Sequence, residues 1–263
     1  MNRMLLCPPD FYEVRYEINP WMSVAQAPDH AVAVRQWQGL YDTLQDMGCK
    51  VELLMPRPGW PDMVFTANAG VVRERRVLLS NFRHEERAGE SPWHAQWFEE
   101  QDYEISRLPR HLAFEGEGDA LKCGDVWICG HGFRTDEEAH RWVGDWTHEP
   151  MVSVRLVDSH FYHLDTCFCP LRDGLAMWYP AAFDAIGQDA IRAISRELIE
   201  VTLDEARRFA CNAIISDSHV VMPDGCPKAS AMLEGRDYAV HPLPMSEFIK
   251  AGGACKCLAL VLE

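Results

Sequence analysis

The start of the sequence lacks a long apolar run: Met1 to Asp10 carries one Arg and a brief apolar patch before Pro8 and Pro9. Neither a secretory h-region nor a membrane span can be built there, so a soluble protein that stays in the cytoplasm is expected. Positive charge is scarce too, with 25 Lys and Arg against 40 Asp and Glu and a formal net charge of −15. The basic residues form no stripe, which argues against nucleic acid and anionic membrane as partners, whereas a cationic small molecule meets no long-range repulsion. Metal-ligand spacing is missing as well. There are ten cysteines, but Cys167-Phe168-Cys169 and Cys255-Lys256-Cys257 lack the gaps of zinc knuckles, and no His pair stands nearby at ligand spacing. No metal and no cofactor are expected, and the thiols read as reduced, mostly buried small hydrophobes.

What is present is enough for one sizeable core: 263 residues, 48% hydrophobic, with no shift in composition that marks a second unit. One domain over 1–263 is expected. A single plan recurs about five times: a β-branched or aromatic run, a polar turn, a second run, a loop, then an amphipathic helix. The paired runs lie at 70–80, 120–129, 166–178 and 213–222, and the two chain ends can pair to complete a fifth. Polar residues precede the runs at Asn68, Asp119, Asp165 and Asn212, and Cys257 ends the series, at intervals of about 45 to 51 residues. Modules placed around an axis would bring these loop residues to one central place.

Helices are expected between the runs. Ala33, Trp37, Leu40, Leu44 and Met47 make one apolar stripe closed by Gly48. Ser91-Pro92 reads as a cap followed by an N1 proline. Thr135 and Thr202 read as caps of short helices, and Ser246 opens a last turn that stops at Gly252-Gly253. Cys257 is expected to begin a final strand, Leu258 to Leu262.

Thiol chemistry needs an ionisable Cys, a His to move protons, and carboxylates to hold a cationic substrate. Cys257 follows a glycine turn, but a packed core cysteine fits equally well, and Cys255 passes the same test. In Phe161-Tyr-His-Leu-Asp165, strand alternation would put His163 and Asp165 on one face, the carboxylate orienting the ring, with His160 opposite; a structural histidine is the other reading. Phe114-Glu-Gly-Glu-Gly-Asp119 crowds three carboxylates, which suits a bound guanidinium better than calcium, or else a solvated acidic turn. Asn19 and Asn68 are ligand-binding amides or turn formers. Arg87 and Arg134 can clamp a substrate carboxylate or lie solvated.

Together these segments resemble the guanidino-group-modifying superfamily of arginine deiminases, amidinotransferases and dimethylarginine dimethylaminohydrolases, whose fold is a five-bladed α/β propeller, the pentein, built of ββαβ-type modules. The sequence is similar to the arginine dihydrolases in Asn19-Pro-Trp-Met22, in 59–70, in 161–170, and in Phe114-Glu-Gly, Phe209-Ala-Cys-Asn-Ala213 and Lys250-Ala-Gly-Gly253. The resemblance implies Cys257 as nucleophile, His163 as general acid/base, and Glu115 and Asp165 as partners of guanidinium and imidazole. It implies that Asn19, Asp62, Arg87 and Arg134 hold the amino-acid end of the substrate, with the Ala251 backbone beside the α-amino group. Deiminases carry an acidic residue where this sequence has Asn68, so Asn68 points to a dihydrolase that takes arginine to ornithine. Stopping at citrulline, as a deiminase or methylarginine hydrolase, is the alternative, and a propeller that binds arginine without turnover is a second. Glu117 and Cys255 depart from the family pattern. Oligomeric state is left open, a homo-oligomer included.

Overall fold

The computed structural model describes residues 2–172 and 174–262. Its fifteen strands are β1 Arg3–Leu6, β2 Lys50–Leu53, β3 Gly70–Arg73, β4 Arg76–Leu79, β5 Glu104–Arg107, β6 Ala120–Cys123, β7 Val126–His131, β8 Met151–Arg155, β9 Phe168–Pro170, β10 Leu175–Trp178, β11 Glu197–Glu200, β12 Ile214–Ser216, β13 His219–Pro223, β14 Ala239–Leu243 and β15 Leu260–Val261. They form five three-stranded sheets in the orders β15-β1-β2, β3-β4-β5, β6-β7-β8, β9-β10-β11 and β12-β13-β14. Within each, the first pair is antiparallel and the second parallel. This is a five-bladed α/β propeller whose first blade is closed by the last strand. No helix among the described residues is long and apolar enough to cross a membrane.

Two-residue turns build three of the hairpins. Glu74, Gly124 and Asp217 have φ of 55°, 61° and 53°, the left-handed backbone that matches a tight turn to strand twist. The parallel strand then needs a crossover, supplied by the helices His30–Asp46, Ser91–Glu100, Ala139–Thr147, Ala185–Ile194 and Pro227–Glu234. The first follows its expected stripe: Ala33, Trp37, Leu40 and Leu44 are buried, Asp29 caps it by accepting from Val32 N, and Gly48 at φ 81° ends it. Apolar clusters run from blade to blade instead of filling one centre. Val71 and Leu78 of the second blade pack with Ala120, Trp127 and Cys129 of the third, and Leu5 of the first with Val77 and Leu79 of the second.

Some local expectations are corrected. Thr202 caps as expected, accepting from Glu205 N. Thr135 does not: its hydroxyl donates to Asp119 Oδ2 at 2.7 Å, and the helix begins at Ala139. The cap position before the helix at Ser91 is Glu90, and Ser91 Oγ donates to Ser80 O. The helix Ser246–Ile249 likewise has Met245 at its cap, while Ser246 Oγ donates to Glu247. Cys257 does not begin a strand. Leu258 N and Ala259 N bond back to Ala254, Cys255 and Lys256 carbonyls, so Cys257 lies in a tight turn, and β15 is only two residues long. His163 and Asp165 do not share a strand face: His163 precedes the 3₁₀ turn Leu164–Thr166, and the strand starts at Phe168.

The loop series meets at the axis. Asn68 Nδ2 donates to Glu115 O at 3.2 Å, Leu164 N to Asp119 Oδ1 at 3.0 Å, and Asn212 Nδ2 to Asp165 O at 3.1 Å. Cys257 N donates to Asn212 Oδ1 at 3.1 Å, and Ala67 N to Cys257 O at 3.2 Å. Each bond joins one blade's loop to the next, and the five close a ring. Loops this close leave no room for a Cβ. One at Gly118 would lie 2.4 Å from Asn68 Nδ2, and one at Gly116 would lie 2.7 Å from Gly70 O. Gly118→Ala is therefore expected to destabilise the protein by about 1–3 kcal/mol through overpacking. Thermal denaturation reads this directly, and a melting temperature equal to that of the parent would mean that the ring can yield.

Candidate active site

Cys257, the last member of the loop series, is 2% exposed. Its thiol donates to Asp165 Oδ2 at 3.3 Å and accepts from Asn212 Nδ2 at 3.1 Å. Asn212 Oδ1 also accepts from Ala254 N and Cys257 N, so one amide from the neighbouring blade fixes both the turn and the sulfur. Burial, and then the charge of Asp165, push the Cys257 thiol well above the usual thiol range. Asp165 is itself pushed up to about 6 by burial, against the pull of Lys256. Cys255 is fully buried and its thiol also raised by burial, but only Cys257 of the two lines the adjoining pocket.

That pocket is bordered by Asn19, Asp62, Asn68, Arg87, Arg134, Ala251 and Cys257, together with Tyr162 and Phe65. Seven of the ten residues expected from the sequence thus meet on one cavity. The other three form its supporting layer. Glu115, fully buried, accepts from Arg134 Nη1 at 3.0 Å and contacts His163 Nε2 at 2.8 Å through the same Oε2, while its Oε1 accepts from Arg83 N. Burial opposes ionisation of Glu115, but Arg134 and the His163 bond outweigh it and hold the carboxyl well below the usual range. The imidazole is therefore oriented by Glu115, not by Asp165 as strand alternation suggested.

The acidic loop is not a solvated turn. Its carboxylates diverge: Glu115 to Arg134 and His163, Glu117 to Lys256 Nζ at 2.7 Å, and Asp119 to Thr135 and Leu164 N. The guanidinium it holds is that of Arg134. Glu117 pairs with the buried Lys256, next to Cys257 in the chain. Burial lifts the Asp119 carboxyl to about 6.

Asn19 acts as a turn former and as a strut. Its Oδ1 accepts from Trp21 N at 2.9 Å, and its Nδ2 donates to Ala251 O at 3.1 Å. Arg134 lies 4.6 Å above the Tyr162 ring and spends one further N–H on Ile18 O. Arg87 is more heavily engaged, with bonds to Glu90, Asn68 and Asp62 O. Asp62 Oδ2 accepts from Tyr16 at 2.9 Å, while Asp62 Oδ1 and Asp165 Oδ1 are buried acceptors without a protein partner. A buried carboxylate oxygen left unpaired is costly, and that of Asp62, which borders the pocket, suits a cationic group of a ligand. No group of three or more His, Cys, Asp and Glu side chains suited to a metal ion occurs among the described residues.

Sequence reasoning assigned no chemistry to Asn212, Tyr162, Glu90 or Lys256. Asn212 was visible as a member of the periodic loop series. Tyr162 and Lys256 have no local signal, because each finds its partner only through the fold, whereas Glu90 has its partner Arg87 three residues before it.

The family model for N,N dimethylarginine dimethylhydrolase, eukaryotic, matches residues 22–261. The chain is 44% identical over 98% of its length to the bifunctional arginine dihydrolase/ornithine cyclodeaminase AgrE of a Nostoc species. It covers 37% of that relative, and the same share of a second bifunctional relative from Synechocystis. It is also 38% identical to N(G),N(G)-dimethylarginine dimethylaminohydrolase of Mycobacterium tuberculosis, covering 86% of that protein. Among solved structures, the N-terminal domain of ArgZ, an arginine dihydrolase from the cyanobacterial ornithine-ammonia cycle, superposes with a TM-score of 0.96 at 42% identity, covering all of this chain and 98% of that one. With family match, fold and buried cysteine site in agreement, the chain belongs to the dimethylarginine dimethylaminohydrolase family of the guanidino-group-modifying superfamily.

Proposed function

We propose that this chain, as one catalytic domain over 1–263, is an arginine dihydrolase that converts L-arginine and two waters to ornithine, two ammonia and carbon dioxide. The observation that carries the reading is the neutral amide of Asn68, held in the pocket that Cys257 lines, with Arg87 Nη1 donating to its Oδ1 at 2.8 Å. A carboxylate there would favour the cationic guanidinium alone, whereas an amide offers both a donor and an acceptor and so also suits an uncharged ureido group.

In this reading Asp62 stays at the amino-acid end and the guanidinium lies against Asn68 and Cys257. Its positive charge lowers the Cys257 pKa as it binds, so the thiolate forms with substrate present. Sulfur attacks the guanidino carbon, and His163, oriented by Glu115, protonates the departing ammonia. It then takes a proton from the water that attacks the thiouronium carbon and breaks the C–S bond, leaving citrulline. A second round expels ammonia from the ureido carbon, and hydrolysis of the resulting thiocarbamate gives a carbamate that loses carbon dioxide. Arg134 keeps free N–H groups for the substrate carboxylate, and Ala251 and Asn19 border the amino end. The family match and the Mycobacterium relative, which is nearer this chain in length, favour as second reading a single hydrolysis of arginine or a methylated arginine that stops at citrulline. Buried thiols suit a reducing cytoplasm, and a homo-oligomer is compatible with all of this.

Incubation with arginine, with ornithine, citrulline and ammonia measured together and Cys257→Ser as the blank, tests the reading. Ornithine with two ammonia per arginine is expected, citrulline alone would establish the second reading, and turnover by Cys257→Ser would remove the thiol from the mechanism. The thiol's environment has its own test. Asp165→Asn removes the charge that holds the thiol neutral, so more thiolate exists at neutral pH, and iodoacetamide should alkylate Cys257 about tenfold faster. An unchanged or slower rate would show that Asp165 does not govern the ionisation.

A further inference from the structure

Glu90 lies outside the pocket, is fully buried, and has no part in the reaction above. It sits at the cap position of the helix Ser91–Glu100. Its carboxylate receives Arg87 as a fork, Nε to Oε1 and Nη2 to Oε2, each at 2.9 Å. Arg87 Nη2 also donates to Asp62 O at 3.1 Å, and Nη1 to Asn68 Oδ1 at 2.8 Å. These four bonds use four of the five N–H groups of a guanidinium, so Arg87 has a single N–H left and cannot present a second fork to a substrate carboxylate. The plane lies 4.5 Å from the Phe82 ring, which blocks tilting. Held along one edge and one face, Arg87 keeps Nη1 aimed at Asn68.

That aim decides which end of the Asn68 amide faces which neighbour. With Oδ1 accepting from Arg87, Nδ2 is the end that meets Glu115 O at 3.2 Å. A flipped amide would set oxygen against that carbonyl and NH₂ against the guanidinium, two buried mismatches. In the observed orientation Oδ1 and Nδ2 each retain one further hydrogen-bonding position. Guanidinium carries only donors, so it needs acceptors and tolerates an amide that is loosely held. A ureido group carries an oxygen as well, so it needs donor and acceptor in fixed places.

The geometry points to Glu90 as a positioning residue for the second hydrolysis: by clamping Arg87 it fixes the Asn68 amide in the orientation that accepts the neutral ureido group of citrulline. This rests on the dihydrolase reading above. Purified parent protein, Glu90→Gln and Glu90→Asp are to be assayed separately on arginine and on citrulline, after thermal denaturation has confirmed that each is folded. Glu90→Gln should consume arginine within about threefold of the parent rate, while kcat on citrulline falls about tenfold and citrulline accumulates. Glu90→Asp, which keeps the charge but reaches less far, should recover part of the citrulline rate. Equal losses on both substrates, or an unchanged ratio in a folded variant, would overturn the proposal. If neither variant folds, Phe82→Leu removes the ring against the Arg87 guanidinium instead, and a citrulline-selective loss is again expected, its absence overturning the proposal. A parent protein that forms no ornithine would instead remove the dihydrolase reading, so the two failures are distinguishable.

Discussion

Everything in this molecule depends on the ring of hydrogen bonds that ties each blade's loop to the next around the axis. A three-stranded sheet with one helix is too small to bury a core of its own, and here each apolar cluster is shared between neighbouring blades. The ring supplies what apolar packing lacks, which is direction: Asn68 to Glu115, Leu164 to Asp119, Asn212 to Asp165 and Cys257, and Cys257 to Ala67. Its members are also the residues of the site. Closure of the fold and alignment of the chemistry are therefore one set of contacts, and the side chain that orients the sulfur, Asn212, is the one that joins the fifth blade to the first.

The ring is buried, and that sets the electrostatics. Charges withdrawn from water demand partners, and the structure supplies them in three separate units: Arg87 with Glu90, Arg134 with Glu115, and Lys256 with Glu117. Each unit pairs one cation with one carboxylate. Burial carries Glu90 to about 7 and Asp165 to about 6, close to physiological pH, whereas Arg134 and the His163 bond hold the Glu115 carboxyl well below the usual range. The pocket thus combines a firmly charged carboxylate behind the imidazole with a softer one beside the sulfur.

Much of this was legible in the sequence wherever the signal is local or periodic. The spacing of Asn68, Asp119, Asp165, Asn212 and Cys257 gave the blade count and the meeting point. The stripe from Ala33 to Leu44 gave the first helix, and Cys257 needed the family motif to be preferred over Cys255. The failures share one cause. Ser91 and Thr135 look like caps, and His163 and Asp165 look like a strand pair, but their side chains are claimed by partners distant in the chain: Ser80, Asp119, Glu115 and Cys257. A polar side chain in a buried loop satisfies whichever neighbour the fold presents, and that neighbour leaves no mark at short range. Glu90 differs: its partner Arg87 is only three residues before it, but a pair at that spacing reads as an ordinary surface ion pair.

One feature of the topology bears on how the protein is made. The blade that opens with β1 is completed only by β15, the last of the fifteen strands to leave the ribosome, and Cys257 lies just ahead of it. Blades two to five can assemble during synthesis from contiguous chain, but the first must wait, with β1 and β2 paired and an open edge. Cys257 and the strand that seals this edge arrive within a few residues of each other, so the turn that holds the thiol and the closure of the first blade are completed by the same short stretch of chain.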